Sequence, residues 1–232
     1  MVKTTKQSEL MPVARGEARA RLLDAAVQAF ATVGFDGVGP RRVAEIAGVN
    51  HSLVTYHFGS MDELWKEAIA SLFDRFRDKL TKRFEGLDNL DADARIAIAI
   101  EDLIAFSRDN PALHQIMTQE GRHLTPRLEW IVERQLKPLF GMTADLIRQG
   151  QAQGSVRNFD PALLYYAMIA LAGTPFSIRA EFEAVTGRDP ASASVTREIA
   201  GMIRFLVFSD REQPGASRRR ATHRAKKAHP SP

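Results

Sequence analysis

Residues 40–58 have the sequence PRRVAEIAGVNHSLVTYHF, and this stretch decides the fold. Pro40 suits the first position of a short helix, because that position needs no backbone N–H donor. Gly48 interrupts the helical pattern, and glycine tolerates the left-handed conformation of a tight corner. Asn50 can then cap another helix, which extends to Phe58. The stretch therefore predicts two short helices joined by a sharp turn.

The second of these helices is predicted to have one buried and one exposed face. Val54 and Phe58 lie four residues apart and are expected to pack inward. The outward positions carry short polar and aromatic side chains, which can reach base edges and phosphates in a major groove. These positions are His51, Ser52, Thr55 and Tyr56. Arg41 and Arg42 begin the preceding helix and are candidates for phosphate contacts. The alternative is an ordinary solvated surface.

Outward from this stretch, the sequence predicts helices and no strand. A helix over 16–33 has an apolar face and ends at Gly34. Ser60 is expected to cap a long fourth helix, which has apolar residues at every fourth position from Leu64 to Leu80. Further helices are expected over 92–108, 111–122, 126–150, 161–173, 175–186 and 192–208. The predicted class is all-α, with an N-terminal three-helix helix-turn-helix head over 16–62 and a helical body over 63–209.

The region from Phe30 to Leu64 resembles the head of TetR-family (TetR/AcrR type) transcriptional regulators. The family pattern has an apolar first helix, Gly-aromatic, a short helix ending in Ile-Ala, Gly-Val, and Tyr-x-His-Phe before a capped fourth helix. The corresponding residues here are Phe30, Gly34-Phe35, Ile46-Ala47, Gly48-Val49, Tyr56-His57-Phe58 and Glu63-Leu64. This sequence departs from the family pattern at three places. Gly39-Pro40 replaces a Thr or Ser pair, Thr55 replaces a common Tyr, and Met61 replaces a Lys. These departures affect operator sequence and affinity, and leave the expected fold unchanged.

The resemblance implies a sequence-specific repressor that a small, largely apolar ligand releases from a palindromic double-stranded DNA operator. It adds Asn50, His57 and Ser60 to the expected DNA contacts, and implies a homodimer acting in the bacterial cytoplasm at the nucleoid, with an unknown effector, no cofactor and no membrane. Helices over 161–186 and 192–208 would form the dimer interface. The alternatives are a ligand-independent DNA-binding protein and a small all-helical enzyme. Catalysis has little support, because no nucleophile, base and acid form a plausible constellation.

A ligand cavity in the body is predicted from aromatic, Met and polar residues at helical spacing, although the same pattern suits an ordinary core. The candidate lining residues are Phe106, His114, Met117, Glu120, Trp130, Arg134, Phe140, Tyr165, Met168, Ile169 and Phe176. A metal site of His114, Glu120 and His123 is an alternative, but that spacing fits no recurrent ligand set, and no metal is expected.

The composition is that of a globular protein, with 44% hydrophobic and 26% charged residues in 232. The absence of cysteine excludes disulfides and thiolate metal sites. Residues 161–178 carry no charge and approach the length of a membrane span, about 17 residues or more. Gly173 and Pro175 are expected to break this segment into two helices, which favours a buried interface.

The positive charge is concentrated at the C-terminus. The net charge is +4, and six of the 32 basic residues follow Pro214 with no acidic residue among them. The rest of the chain therefore has 26 basic and 28 acidic residues. Residues 210–232 are expected to form a disordered basic tail, and residues 1–15 a disordered arm.

Overall fold

The computed structural model describes residues 15–85 and 90–209. These ranges contain eleven α-helices and no strand: α1 Arg15–Val33, α2 Pro40–Ala47, α3 Ser52–Phe58, α4 Met61–Phe84, α5 Ala92–Asp109, α6 Pro111–Glu120, α7 Pro126–Ile131, α8 Lys137–Ala152, α9 Pro161–Ser177, α10 Arg179–Thr186 and α11 Ala193–Val207. The all-α class is confirmed. The predicted tail over 210–232 and residues 1–14 of the predicted arm lie outside the described residues.

The first three helices form the predicted head. Gly34 ends α1 with φ +76°, and Gly48 turns the chain between α2 and α3 at φ 65° and ψ 38°. Both values lie in the left-handed region, which glycine adopts without a steric penalty. Val49, in the turn, and Val54, on α3, are buried against α1 and α2. The corner between the helices is therefore held by backbone geometry and by apolar packing.

Helix α4 extends from the head into the body. The Ser60 side chain accepts a hydrogen bond from the Glu63 backbone N–H at 3.1 Å, as expected of an N-cap. All five predicted inward positions from Leu64 to Leu80 are buried. Toward its C-terminal end, two cations of α4 pair with the buried carboxylate of Asp102 on α5, Lys79 at 3.2 Å and Arg83 at 3.4 Å. One helix therefore connects both parts of the molecule.

Two hydrophobic cores fill the described structure. The first joins α1–α4 to buried residues of α5–α8, including Ile116 and Ile131, so head and body share one apolar core. The second lies between α5, α8, α9 and α11 and includes Ile100, Ile147 and Ile203. Because the first core is continuous across the predicted boundary at residue 62, that boundary stays a prediction.

The predicted break between 173 and 175 is wrong. Helix α9 continues past Pro175 to Ser177, and the chain bends at Ile178 into α10, at 78° to α9. Gly173 lies against the His114 ring of α6, where a Cβ atom would overlap the imidazole. This glycine therefore permits close packing of α6 on α9 and does not end the helix. Pro175 lies in the last turn of α9, where it removes the backbone donor that would otherwise bond to the Leu171 carbonyl, and the helix ends two residues later.

The predicted helix over 126–150 contains an unpredicted π turn, Val132–Leu136, between α7 and α8. Pro138 follows it as the second residue of α8. A proline ring clashes with the carbonyl four residues earlier, and a wider turn accommodates it. Among the described residues, no single helix is long and apolar enough to cross a membrane. The bent α9–α10 pair meets that criterion only when both helices are taken together, on length and composition alone.

The packing at Gly173 is testable. Gly173→Ala should lower the free energy of unfolding by about 1–3 kcal/mol, because the added methyl displaces the His114 ring. Urea denaturation measures the change. Gly141→Ala in α8 is the matched control, since nothing lies within 4 Å of its Cβ position. That variant should be neutral or more stable by about 0.5–1 kcal/mol through helix propensity. Equal stability of the two variants would contradict the packing role.

Candidate DNA-binding face and internal cavity

Helix α3 separates its side chains as the sequence predicts. Val54 and Phe58 are buried, while the four outward positions, His51, Ser52, Thr55 and Tyr56, are exposed. The Asn50 side chain accepts hydrogen bonds from the Ser52 backbone N–H and hydroxyl, both at 2.9 Å. The start of α3 is thus capped by Asn50. The result is a short, capped helix with a polar and aromatic outer face.

The other candidate DNA contacts differ in their surroundings. Arg41 is exposed, and exposed Arg42 pairs with Glu45 at 3.0 Å. His57 is half-buried, with its ring edge-on to that of Tyr56 at 5.0 Å between centroids. Ser60 is exposed but already serves as the cap of α4. Eight of the nine candidates are therefore exposed, and His57 is the exception.

A bracing contact on α1 was not predicted. The Arg19 guanidinium pairs with Glu67 of α4 and lies over the Phe58 ring of α3, 5.4 Å from its centroid. It holds the end of α3 between α1 and α4. The charge and the i, i+4 apolar pattern of α1 do not indicate this role, because both partners lie at least 39 residues away in sequence.

The body contains a partly open cavity of about 530 Å³, which we call the chamber. This volume is in the range of small-molecule sites. Its walls come from α4 to α9 and the π turn. The lining residues are Phe73, Phe76, Leu103, Phe106, Leu113, His114, Met117, Thr118, Gly121, Leu128, Val132, Leu136, Leu139, Tyr165, Tyr166, Ile169, Ala170, Thr174 and Ser177.

A second, narrower cavity of about 90 Å³ adjoins the chamber, and we call it the slot. It lies between α4, α5, α8 and α9, and Met168 is among its lining residues. Five residues line both cavities: Phe76, Leu103, Leu139, Tyr165 and Ile169. Chamber and slot are therefore adjacent spaces with a shared wall.

Six of the predicted lining residues line these cavities. Five of them line the chamber: Phe106, His114, Met117, Tyr165 and Ile169. Tyr165 and Ile169 line the slot as well, and Met168 lines only the slot. Five others line neither cavity. They are Glu120, which pairs with Arg127; Trp130, which packs on Trp65; Arg134, which is exposed; Phe140, which packs on Tyr165; and Phe176, in the second core. Helical spacing alone could not decide which apolar faces meet a cavity and which meet another helix.

The α4 and π-turn contributions to the chamber were missed. Phe76 belongs to the α4 stripe, which the sequence presents as ordinary core, and Phe73 lies beside that stripe. The Phe76 ring faces that of Phe106 with centroids 4.9 Å apart. Val132 and Leu136 line the chamber from the π turn. A possible signal was Pro138, because a proline early in a long predicted helix indicates irregular geometry upstream.

The chamber is electrically neutral. Among the described residues, no Asp, Glu, Lys or Arg lines the chamber or the slot. Burial lowers the pKa of His114 below its ordinary value of 6.5, so the imidazole is neutral at pH 7. Its Nε2 lies 2.9 Å from the hydroxyl of Ser107, which is buried. The polar groups that face the cavities are therefore uncharged.

The alternative metal site is not assembled. Within residues 15–85 and 90–209, no group of three or more His, Asp or Glu side chains is placed to hold a metal ion. His114 faces Ser107, and Glu120 faces Arg127.

Helix α6 contacts both the chamber and the head. Gln119 donates a hydrogen bond from Nε2 to the Ala31 carbonyl of α1 at 2.9 Å. At the end of α6, half-buried Glu120, whose side chain is 8% exposed, pairs with Arg127 at 3.3 Å. The Arg127 guanidinium lies over the Phe35 ring, 4.2 Å from its centroid. Because His114 and Met117 of the same helix line the chamber, a displacement of α6 would move contacts of the head.

Two family models match the chain. Residues 22–68 match the model described as "Bacterial regulatory proteins, tetR family", and residues 94–207 match "Tetracyclin repressor-like, C-terminal domain". The HTH-type transcriptional regulator RutR of Escherichia coli is 27% identical over 186 residues, covering 80% of this chain and 85% of its own length. The HTH-type transcriptional repressor NicS of Pseudomonas putida is 27% identical over 158 residues, covering 66% of this chain and 72% of its own length.

Solved structures share the fold. The ketosteroid transcriptional regulator KstR2 of Mycobacterium tuberculosis superposes with a TM-score of 0.61 at 22% identity, covering 87% of this chain and 98% of that one. A mutant of HlyIIR superposes with a TM-score of 0.64 at 15% identity, covering 86% of this chain and 100% of that one. At these identities the likeness concerns the arrangement of helices alone.

The Glu120–Arg127 pair is testable by stability. Arg127→Met should lower the free energy of unfolding by about 2–3 kcal/mol, because the Glu120 carboxylate, only 8% exposed, loses its counter-charge. Arg148→Met is the matched control, since Arg148 pairs with Asp145 on the open surface and should change stability by less than about 0.5 kcal/mol. Adding Glu120→Gln to Arg127→Met should recover part of the loss in urea denaturation. A loss no larger than that of Arg148→Met would contradict the analysis.

Proposed function

Because the chain belongs to the TetR family of bacterial regulatory proteins and is a DNA-binding transcriptional regulator, we propose that it binds a palindromic operator as a homodimer and leaves it when a small molecule occupies the chamber. The observation that carries the proposal is α6, which lines the chamber with His114 and Met117 and contacts the head through Gln119. RutR and NicS, its relatives over most of the chain, are named as transcriptional regulators.

We assign base recognition to the exposed face of α3. Tyr56, Thr55 and Ser52 carry hydroxyl groups that can donate to or accept from base edges, and His51 extends the same face. Arg41 and Arg42 supply the charge for phosphate contacts at the groove edge, and we assign a further phosphate contact to His57. Asn50 and Ser60 act through the helix ends that they cap.

We assign the dimer interface to α9 and α11. Arg157, just before α9, donates from its backbone N–H to Val207 at 2.9 Å and lies over the Phe205 ring. The start of α9 therefore lies beside the end of α11. Apolar side chains project from both helices at this end, namely Leu163 and Tyr166 from α9 and Met202 and Phe205 from α11, and all four are exposed. Such a patch on a two-helix surface suits a two-fold four-helix contact.

The dimer is needed for the geometry of DNA binding. Two recognition helices must reach successive major-groove faces, about 34–36 Å apart, so a two-fold dimer matches an inverted repeat. The effector must then bind the DNA-incompetent conformation more tightly, since equal affinity for both conformations shifts nothing. A displacement of α6 by a bound molecule provides that difference through Gln119 and the Arg127–Phe35 contact.

The chamber favours this proposal over a ligand-independent DNA-binding protein. A cavity of about 530 Å³ beside the head contacts has the size of a small-molecule site, which a ligand-independent DNA-binding protein does not need. Enzymatic activity is disfavoured by the named relatives, which are transcriptional regulators. Sequencing the DNA that the purified protein retains from its own genome tests the proposal. Recovery of an inverted repeat is expected, and retention of all fragments alike would contradict it.

The recognition face is testable on that recovered operator. Tyr56→Ala should weaken operator binding by about 1–3 kcal/mol, the usual cost of losing a specifying contact, without unfolding the head. Fluorescence anisotropy measures the affinity and circular dichroism the fold. Val33→Ala is the matched control, because Val33 is an equally exposed side chain of the head, at the end of α1. Unchanged affinity in a folded Tyr56→Ala protein would contradict the assignment.

The interface is testable with two leucines of similar exposure. Leu163 on α9 is 71% exposed and Leu124 in the α6–α7 loop is 76% exposed. Leu163→Glu should convert the dimer to a monomer, because a charge buried across the two-fold contact is costly. Leu124→Glu should leave the dimer intact. Light scattering at matched concentrations distinguishes the two, and a dimeric Leu163→Glu protein would refute the proposed interface.

A further inference from the structure

Tyr165 lies in the wall shared by the chamber and the slot. The residue is 5% exposed and lines both cavities. Within the described part of the chain, its hydroxyl oxygen is buried and has no hydrogen-bond partner. A buried polar group without a partner is destabilising, so native proteins rarely keep one without a function.

The residues that line the two cavities disfavour a charged ligand group. The residues lining the two cavities are apolar or neutral, with His114 uncharged at pH 7, so no side chain is placed to neutralise a carboxylate or an ammonium group. Moving an ion out of water into such a cavity without a counter-charge costs far more than burying a hydrogen-bonded neutral group. The site therefore discriminates by charge.

The sizes of the two spaces also constrain the ligand. The chamber, at about 530 Å³, has room for a ring, while the slot, at about 90 Å³, has room only for a smaller apolar group. Both are bounded by aromatic and aliphatic side chains, such as Phe76 and Leu139. A polar atom of a ligand at the junction of the two spaces would lie next to Tyr165.

We propose that the effector is an electrically neutral molecule with an apolar ring in the chamber, a smaller apolar group in the slot, and a carbonyl-type oxygen between them that accepts a hydrogen bond from Tyr165. This inference rests on the proposed function only in treating the chamber as the effector site. Burial, with a contribution from Tyr166, raises the pKa of Tyr165 to about 12, so its hydroxyl stays protonated and acts as the donor.

Three probes of nearly identical shape test this chemistry on the purified full-length protein. Benzylacetone has a ketone, hydrocinnamate has a carboxylate at the same place, and butylbenzene has neither group. Isothermal titration calorimetry at pH 7.5 should show benzylacetone binding roughly tenfold or more tightly than hydrocinnamate, because the carboxylate must be buried without a counter-charge. Equal or tighter binding of hydrocinnamate, or no binding of any probe, would overturn the proposal.

Tyr165→Phe isolates the hydroxyl group. It should weaken benzylacetone binding roughly three- to tenfold and leave butylbenzene binding unchanged, as expected for the loss of one hydrogen bond. Thr32→Val is the control, since it removes a hydroxyl group from an exposed residue of α1 that lines neither cavity, and it should change neither affinity. Unchanged benzylacetone affinity in Tyr165→Phe, or an equal loss in Thr32→Val, would contradict the donor role.

A stability measurement separates a ligand contact from a structural role. Because the Tyr165 hydroxyl has no partner among the described residues, Tyr165→Phe should unfold at the same urea concentration as the wild type or at a higher one. A destabilised variant would mean that the hydroxyl serves the fold. The DNA-retention experiment stays independent of these results, so the proposed function and the ligand chemistry can fail separately.

Discussion

The packing of α4 against both the head and the body is the interaction on which the rest of the structure depends. Trp65, one turn into this helix, is completely buried and contacts the Phe35 ring of the head and the Trp130 ring of α7. Burial of such a large apolar side chain is among the strongest single contributions to a core. Because one apolar stripe serves both sides, the head cannot shift without changing contacts in the body.

This shared core supplies the physical link that the proposed control of the head by the chamber requires. The chamber takes its walls from α4 through Phe73 and Phe76, and from α6 through His114 and Met117. Both helices continue to contacts with the head, so a ligand in the chamber would act directly on the elements that position α3. The same arrangement keeps charged side chains out of the chamber lining, and the Arg127–Glu120 pair lies outside that lining. A chamber lined by neutral side chains and a charged pair beside it therefore follow from the same packing of helices.

Much of the head could be predicted because its signals are local. Pro40, Gly48 and the caps Asn50 and Ser60 act through backbone geometry within a few residues, and the structure confirms each of them. The body was predicted less well. Gly173 was interpreted as a helix break, yet it permits the approach of His114 from a helix about sixty residues earlier in the chain. Five of eleven predicted cavity residues lie elsewhere because helical spacing does not reveal which neighbour a face meets.

The sequence by itself determined the all-helical class, the positions of most helices, the turn at Gly48 and the exposed face of α3. These depend on hydrophobic period, on caps and on glycine geometry, which are properties of neighbouring residues. Only the tertiary structure decided that α9 runs through Pro175, that Arg19 braces α3, and that the Tyr165 hydroxyl is buried with no hydrogen-bond partner among the described residues. The physical reason is that packing, desolvation and cavity shape arise between helices distant in sequence, and no local pattern encodes the partner.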